Sequence, residues 1–110
     1  MPRRSTEVSE PMYFVLAALL DGPLHGHAIV GKVVELSRDR VKPSISTLYG
    51  ILERLTAQGT LSVDREEVVD GRNRRYFRIT DRGRAIAEAE AERMHHAASV
   101  IKGRRDLGLT

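Results

Sequence analysis

Three amphipathic helical stretches, a β-hairpin signal and one long last helix follow one another along 110 residues. That order predicts a mainly α chain with a β-hairpin: a winged helix-turn-helix with an appended C-terminal dimerisation helix. A chain this short holds a single core and buries roughly 65% of its unfolded surface, enough without metal or disulfide staples. Its 41% hydrophobic and 30% charged residues are the balance of a folded chain, not a disordered tail.

Residues 1–8 show no periodicity and are expected to form a flexible arm carrying Arg3 and Arg4. The winged domain is expected over 9–80, the dimerisation helix over 81–106 and a tail over 107–110. Met12, Val15, Leu16, Leu19 and Leu20 recur at helical spacing. Ser9 is the expected N-cap, Pro11 suits the first turn, and Asp21-Gly22-Pro23 ends the helix. A second, shorter pattern runs from about His25 to Ser37, with Ile29, Val33 and Leu36 on one face. After a charged turn, Pro43-Ser44 starts a third helix whose core face is Ile45, Leu48, Leu52 and Leu55, and Gly59 stops it.

Leu61 to Val69 and Arg74 to Thr80 are β-capable runs separated by Asp70-Gly71-Arg72-Asn73, and Asp-Gly between such runs is a strong hairpin signal. Thr80 caps the last helix. Ala87, Ala91, Met94, Ala98 and Ile101 are spaced 4, 3, 4 and 3, the seam of a helix that lies along another helix. So alanine-rich a seam buries little area, so Met12 and Leu16 of the first helix are expected to join the dimer contact.

A net charge of +3 favours anionic partners, nucleic acid before membrane. The absence of cysteine excludes disulfides, thiolate metal sites and Cys nucleophiles, and fits a cytoplasmic protein. The apolar run Met12 to Leu20 is too short for a bilayer and has acidic Glu7 and Glu10 before it, against a targeting segment. No P-loop, HExxH, nucleophile elbow or dinucleotide fingerprint is present, and Glu66 and Glu67 project to opposite faces of a strand, so no enzyme is expected. His95 and His96 diverge by about 100° on a helix, as do His25 and His27, so no metal site or other cofactor is expected. His25 suits a structural place at the start of the second helix.

On the third helix Ser44, Ser46, Thr47, Tyr49, Gly50 and Arg54 lie on or beside the face away from the core, offering hydroxyls, a gap and a cation to DNA. The same pattern describes an ordinary solvated helix face. The hairpin tips the balance: Arg72, Arg74, Arg75 and Arg78, with Asn73 among them, sit on a rigid wing suited to phosphate. For Tyr49, packing with only its hydroxyl on a phosphate stands beside base contact. Arg54 has a bland alternative as a surface ion-pair partner.

These residues resemble the PadR-type transcriptional regulators. The matching pieces are Tyr13 to Leu20 with Asp21-Gly22-Pro23, His25-Gly26-His27-Ala28-Ile29, Ser46-Thr47-Leu48-Tyr49 with Leu52, Arg54 and Leu55, and Asp70 to Thr80 with Gly83-Arg84. The resemblance implies a homodimeric winged-helix DNA-binding protein, usually a repressor of a nearby gene, released by a small-molecule inducer or other signal. By position Ser46, Thr47 and Tyr49 match its recognition helix, and Arg72, Arg74 and Arg75 its wing. The single terminal helix looks like the family's short-tailed branch. This chain has His27 where the family usually has tyrosine, and Pro43-Ser44-Ile45-Ser46 in place of a glycine-containing turn, which bears on operator sequence. The alternatives are a winged-helix interaction module whose basic wing binds an acidic partner, and a ligand-binding protein with its pocket between subunits.

Overall fold

The computed structural model describes residues 7–106 and 108. The expected arm, up to residue 6, and tail residues 107, 109 and 110 lie outside the described residues. The elements in order are α1 (Glu10–Ala18), β1 (Leu24–His25), α2 (Gly26–Leu36), α3 (Ile45–Ala57), β2 (Leu61–Val69), β3 (Arg72–Ile79) and α4 (Asp81–Asp106). The fold is mainly α with a β-hairpin, and β1 joins the hairpin to make a three-stranded antiparallel sheet of order β1-β3-β2.

Local chemistry sets the helix starts. The hydroxyl of Ser9 accepts from Met12 N–H, and that of Ser44 accepts from Thr47 N–H at 3.1 Å. Thr80 Oγ1 accepts from Gly83 N–H at 3.0 Å while its own hydroxyl reaches the Gly59 and Thr60 carbonyls. Gly83 is required there, because a β-carbon would lie 2.1 Å from the Thr60 carbonyl oxygen. α2 is capped by the imidazole of His25, whose Nδ1 accepts from Ala28 N–H.

The hairpin turn is tighter than the spacing suggests. Asp70 and Gly71 alone carry it, at φ +52° and +76° as a primed two-residue turn demands. Arg72 and Asn73, expected in the turn, are strand residues facing Val69 and Val68. A bulge between Val63 and Arg65 then resets the register so that Arg65 faces Tyr76.

The core is built from Met12, Val15, Leu16 and Leu19 of the first helical stretch, Ile29 and Val33 of α2, Leu48, Leu52 and Leu55 of α3, and Leu61, Phe77 and Ile79 of the sheet. Three residues of the expected apolar faces are outside it: Leu20, Leu36 and Ile45 are 38%, 40% and 38% exposed, Leu20 lying past the end of α1 and the other two at the last and first positions of α2 and α3. Val8, expected in the loose arm, packs against the core.

The predicted dimer seam divides. Met12, Leu16 and Ala87 are buried in the protomer's own core, where α1 meets α4. Ala91 is half-buried, while Met94, Ala98 and Ile101 are exposed, Ile101 by 70%. At about 1.5 Å per residue the 26 residues of α4 span roughly 39 Å, so its second half extends past the core. Among the described residues no helix is long and apolar enough to cross a membrane.

Candidate nucleic-acid interface

The start of α2, Tyr49 of α3 and the wing meet at one cleft, while Thr47 at the start of α3 borders a second one with Arg40, Lys42 and Pro43. At the start of α3 the hydroxyls form a cluster, with Ser44 Oγ 2.9 Å from Thr47 Oγ1 and 3.3 Å from Ser46 Oγ. Ser44, Ser46 and Thr47 are all exposed, as are Gly50 and Arg54 further along. Arg54 makes no ion pair among the described residues, so the surface-pair alternative for it is absent there.

Tyr49 is 38% exposed and its ring lies over the start of α2, against Gly26. The glycine leaves the space that the ring fills. His25, Gly26, His27 and Tyr49 line a cleft of about 110 Å³ with residues 72–75 of the wing, between the helix-turn-helix and β3. His25 and His27 were not among the expected interface residues. The signal for them is the pairing of His25 with Tyr76 on β3, which draws the start of α2 against the wing.

The wing arginines are not equivalent. Strand pleating sends Arg72 and Arg74 to one face and Asn73 and Arg75 to the other. Arg75 Nε donates to Glu66 Oε1 at 3.2 Å across the hairpin, and Arg65 is held by Asp64 and Glu67 at 2.9 and 2.7 Å. The Arg65 hydrogen bond holds the Glu67 carboxyl below its usual value. Arg72 and Arg78 form no ion pair among the described residues, and Arg74 approaches only His25, Nη1 to Nε2 at 3.3 Å. Positive charge is therefore uncompensated at Arg72, Arg74 and Arg78 and partly offset at Arg65 and Arg75.

His25, Tyr76 and Arg65 stand in a row across the sheet. The His25 and Tyr76 rings meet edge to face at 5.4 Å, and the Arg65 guanidinium lies 4.0 Å from the centre of the other side of the tyrosine. Burial, then Arg74, then His27 push the His25 imidazole below its ordinary value of 6.5. Among the described residues no group of three His, Cys, Asp or Glu side chains gathers to hold a metal.

The architecture and this cationic face define a winged helix-turn-helix protein. The family model of the "Transcriptional regulator PadR-like family" matches residues 15–89, and the chain belongs to that family, which is one of transcriptional regulators and not of enzymes. A transcriptional regulator of Mycobacterium tuberculosis is 37% identical over 89 residues, 81% of this chain and 79% of the relative. A 37.1 kDa protein of a Streptomyces fradiae transposon is 40% identical over 96 residues, 87% of this chain, which spans only 25% of that protein's length. Bacillus subtilis PadR, solved in complex with operator DNA, has the same fold, with a TM-score of 0.64 at 22% identity, over 72% of this chain and 45% of that one.

Proposed function

We propose that this regulator is a homodimeric repressor that binds a pseudo-palindromic operator and is released by a small-molecule or other signal. The observation that carries the DNA-binding part is the meeting of Tyr49 of α3 with Arg72 and Arg74 of the wing at one cleft, on a helix whose start exposes the Ser44, Ser46 and Thr47 hydroxyls. In that arrangement α3 enters the major groove, where Ser46, Thr47 and Tyr49 read base edges and Gly50 allows close approach. Ser44 tightens the start of α3 through its cap. Arg54, Arg72 and Arg74 hold backbone phosphates, with Asn73 and the Glu66-paired Arg75 beside them at the cleft.

The dimer face is the second half of α4, centred on Met94, Ala98 and Ile101 with Ala91 at its inner edge. Exposed apolar side chains on a helix that extends past its own core support this assignment. Two such helices related by a two-fold axis place the two α3 helices in successive major grooves, about 34–36 Å apart. A cleft of about 120 Å³ lined by Val8, Met12, Leu16, Leu55 and Ile86 lies where α1, the end of α3 and α4 meet. It supports release by an effector, since a molecule bound there touches the helix that carries the dimer face. Sedimentation equilibrium tests the assembly: the wild type is expected as a dimer and Ile101→Glu with Met94→Glu as a monomer. A monomeric wild type, or a dimer that survives both charges, contradicts it.

A further inference from the structure

We propose that the cleft between the start of α2 and the wing binds one phosphodiester group of the DNA backbone, which His25 holds through a neutral ring N–H beside the Arg74 guanidinium. Resting on the DNA-binding role proposed above, this adds His25 to the residues that touch DNA.

The inference follows from hydrogen-bond inventory. A neutral imidazole has one donor nitrogen and one acceptor nitrogen, whereas a backbone N–H and a guanidinium only donate. Yet Ala28 N–H points at Nδ1 from 3.5 Å and Arg74 Nη1 lies 3.3 Å from Nε2. Two donors thus converge on a ring that can accept from one. With Nδ1 capping the helix, Nε2 carries the proton and faces Arg74 donor to donor. Protonating the ring does not help, because it removes the remaining acceptor and adds a third charge beside Arg74 and Arg72.

An oxyanion seated between Nε2 and Nη1 completes the set. It accepts from both, and Nδ1 keeps Ala28. The surroundings fit such a guest. His27 of α2, Tyr49 of α3 and Arg72, Asn73 and Arg75 of β3 also line the cleft, and no acidic side chain does so. Two carboxylates stand nearby on β2: Glu67, opposite Arg74, is held by Arg65 at 2.7 Å, and Glu66 pairs with the cleft-lining Arg75 at 3.2 Å. Tyr76 fixes the ring plane from β3. The volume, about 110 Å³, is several times the roughly 30 Å³ share of a water molecule and admits one phosphate group. Burial and the neighbouring cations keep the ring neutral near pH 7, the state that donates from Nε2 while capping through Nδ1.

The test is ¹⁵N–¹H NMR of the histidine rings and backbone amides of the full chain at neutral pH, with inorganic phosphate and with random-sequence duplex DNA as separate probes. Both probes are expected to settle His25 in the tautomer protonated at Nε2. His25→Asn keeps an oxygen to cap Ala28 but falls short of the anion, so it is expected to lower duplex affinity about tenfold. If duplex DNA moves the α3 amides while the His25 ring signals and the His25→Asn affinity stay unchanged, the assignment fails and the DNA-binding role stands. If neither α3 nor wing amides respond to duplex, the DNA-binding role itself fails. Response to inorganic phosphate alone overturns the assignment to the DNA backbone.

Discussion

The ring of Tyr49 rests against Gly26 so closely that a β-carbon on Gly26 would sit 2.7 Å from the tyrosine oxygen and 2.9 Å from Cζ. That contact ties the third helix to the start of the second and decides where the tyrosine hydroxyl points. The obstructing atoms belong to the end of a partly exposed side chain, so Gly26→Ala is expected to displace the ring more than it unfolds the protein. Thermal or urea unfolding should change by no more than about 1 kcal/mol, since alanine also favours the helix. DNA affinity should fall as far as it does for Tyr49→Ala. A Gly26→Ala protein with unchanged affinity would remove the orientation of Tyr49 from the interface.

The unequal pairing of the wing arginines gives a graded expectation. Arg72→Ala and Arg74→Ala should each reduce the slope of log affinity against log salt by about one unit, uniformly across DNA sequences. Arg75→Ala should change it less, because Glu66 already offsets that charge. Salt titrations of the three variants check the order. Equal slopes for all three would mean that the Arg75–Glu66 pair opens on binding.

His25 also links stability to pH. Its folded-state value lies below the ordinary 6.5, so the unfolded chain takes up a proton first as pH falls. Stability is therefore at its full value above pH 6.5 and declines as pH drops from there through the lower folded-state value. Urea unfolding at a series of pH values should show this decline in the wild type and a shallower one in His25→Asn. Identical profiles for the two proteins would show that His25 titrates alike in both states.

Much of the fold is legible because its signals are local. Ser9, Ser44 and Thr80 announce helix starts through the hydroxyl that each puts within reach of an N–H three residues on. Leu61 to Val69 is a strand by pattern and a strand in fact. β1 is another matter: Leu24 and His25 are strand only because Phe77 and Tyr76 arrive beside them, and two residues have no period to read. The same distance in sequence hides the cleft, which joins residues 25 to 27 with 72 to 75. Which arginines stay unpaired depends on cross-strand register and on the bulge before Arg65, neither of which composition reveals. Met12, Leu16 and Ala87 look alike whether an apolar stripe meets its own core or a second chain, and only the packing of α1 on α4 separates the two. Residue type alone singles out Ser46, Thr47, Tyr49 and Arg74 as candidates, while the place of His25 beside Arg74 emerges only from the three-dimensional arrangement.

The most direct test of sequence-specific regulation is fluorescence anisotropy of the purified chain with duplex DNA from upstream of its own gene and with a scrambled duplex, each titrated at several salt concentrations. A regulator of the proposed kind should prefer the upstream duplex by about 10³-fold or more, with two chains per site and a steep salt dependence on both. Equal binding to both duplexes, lost together as salt rises, would contradict operator recognition at that region and point instead to an acidic partner for the wing.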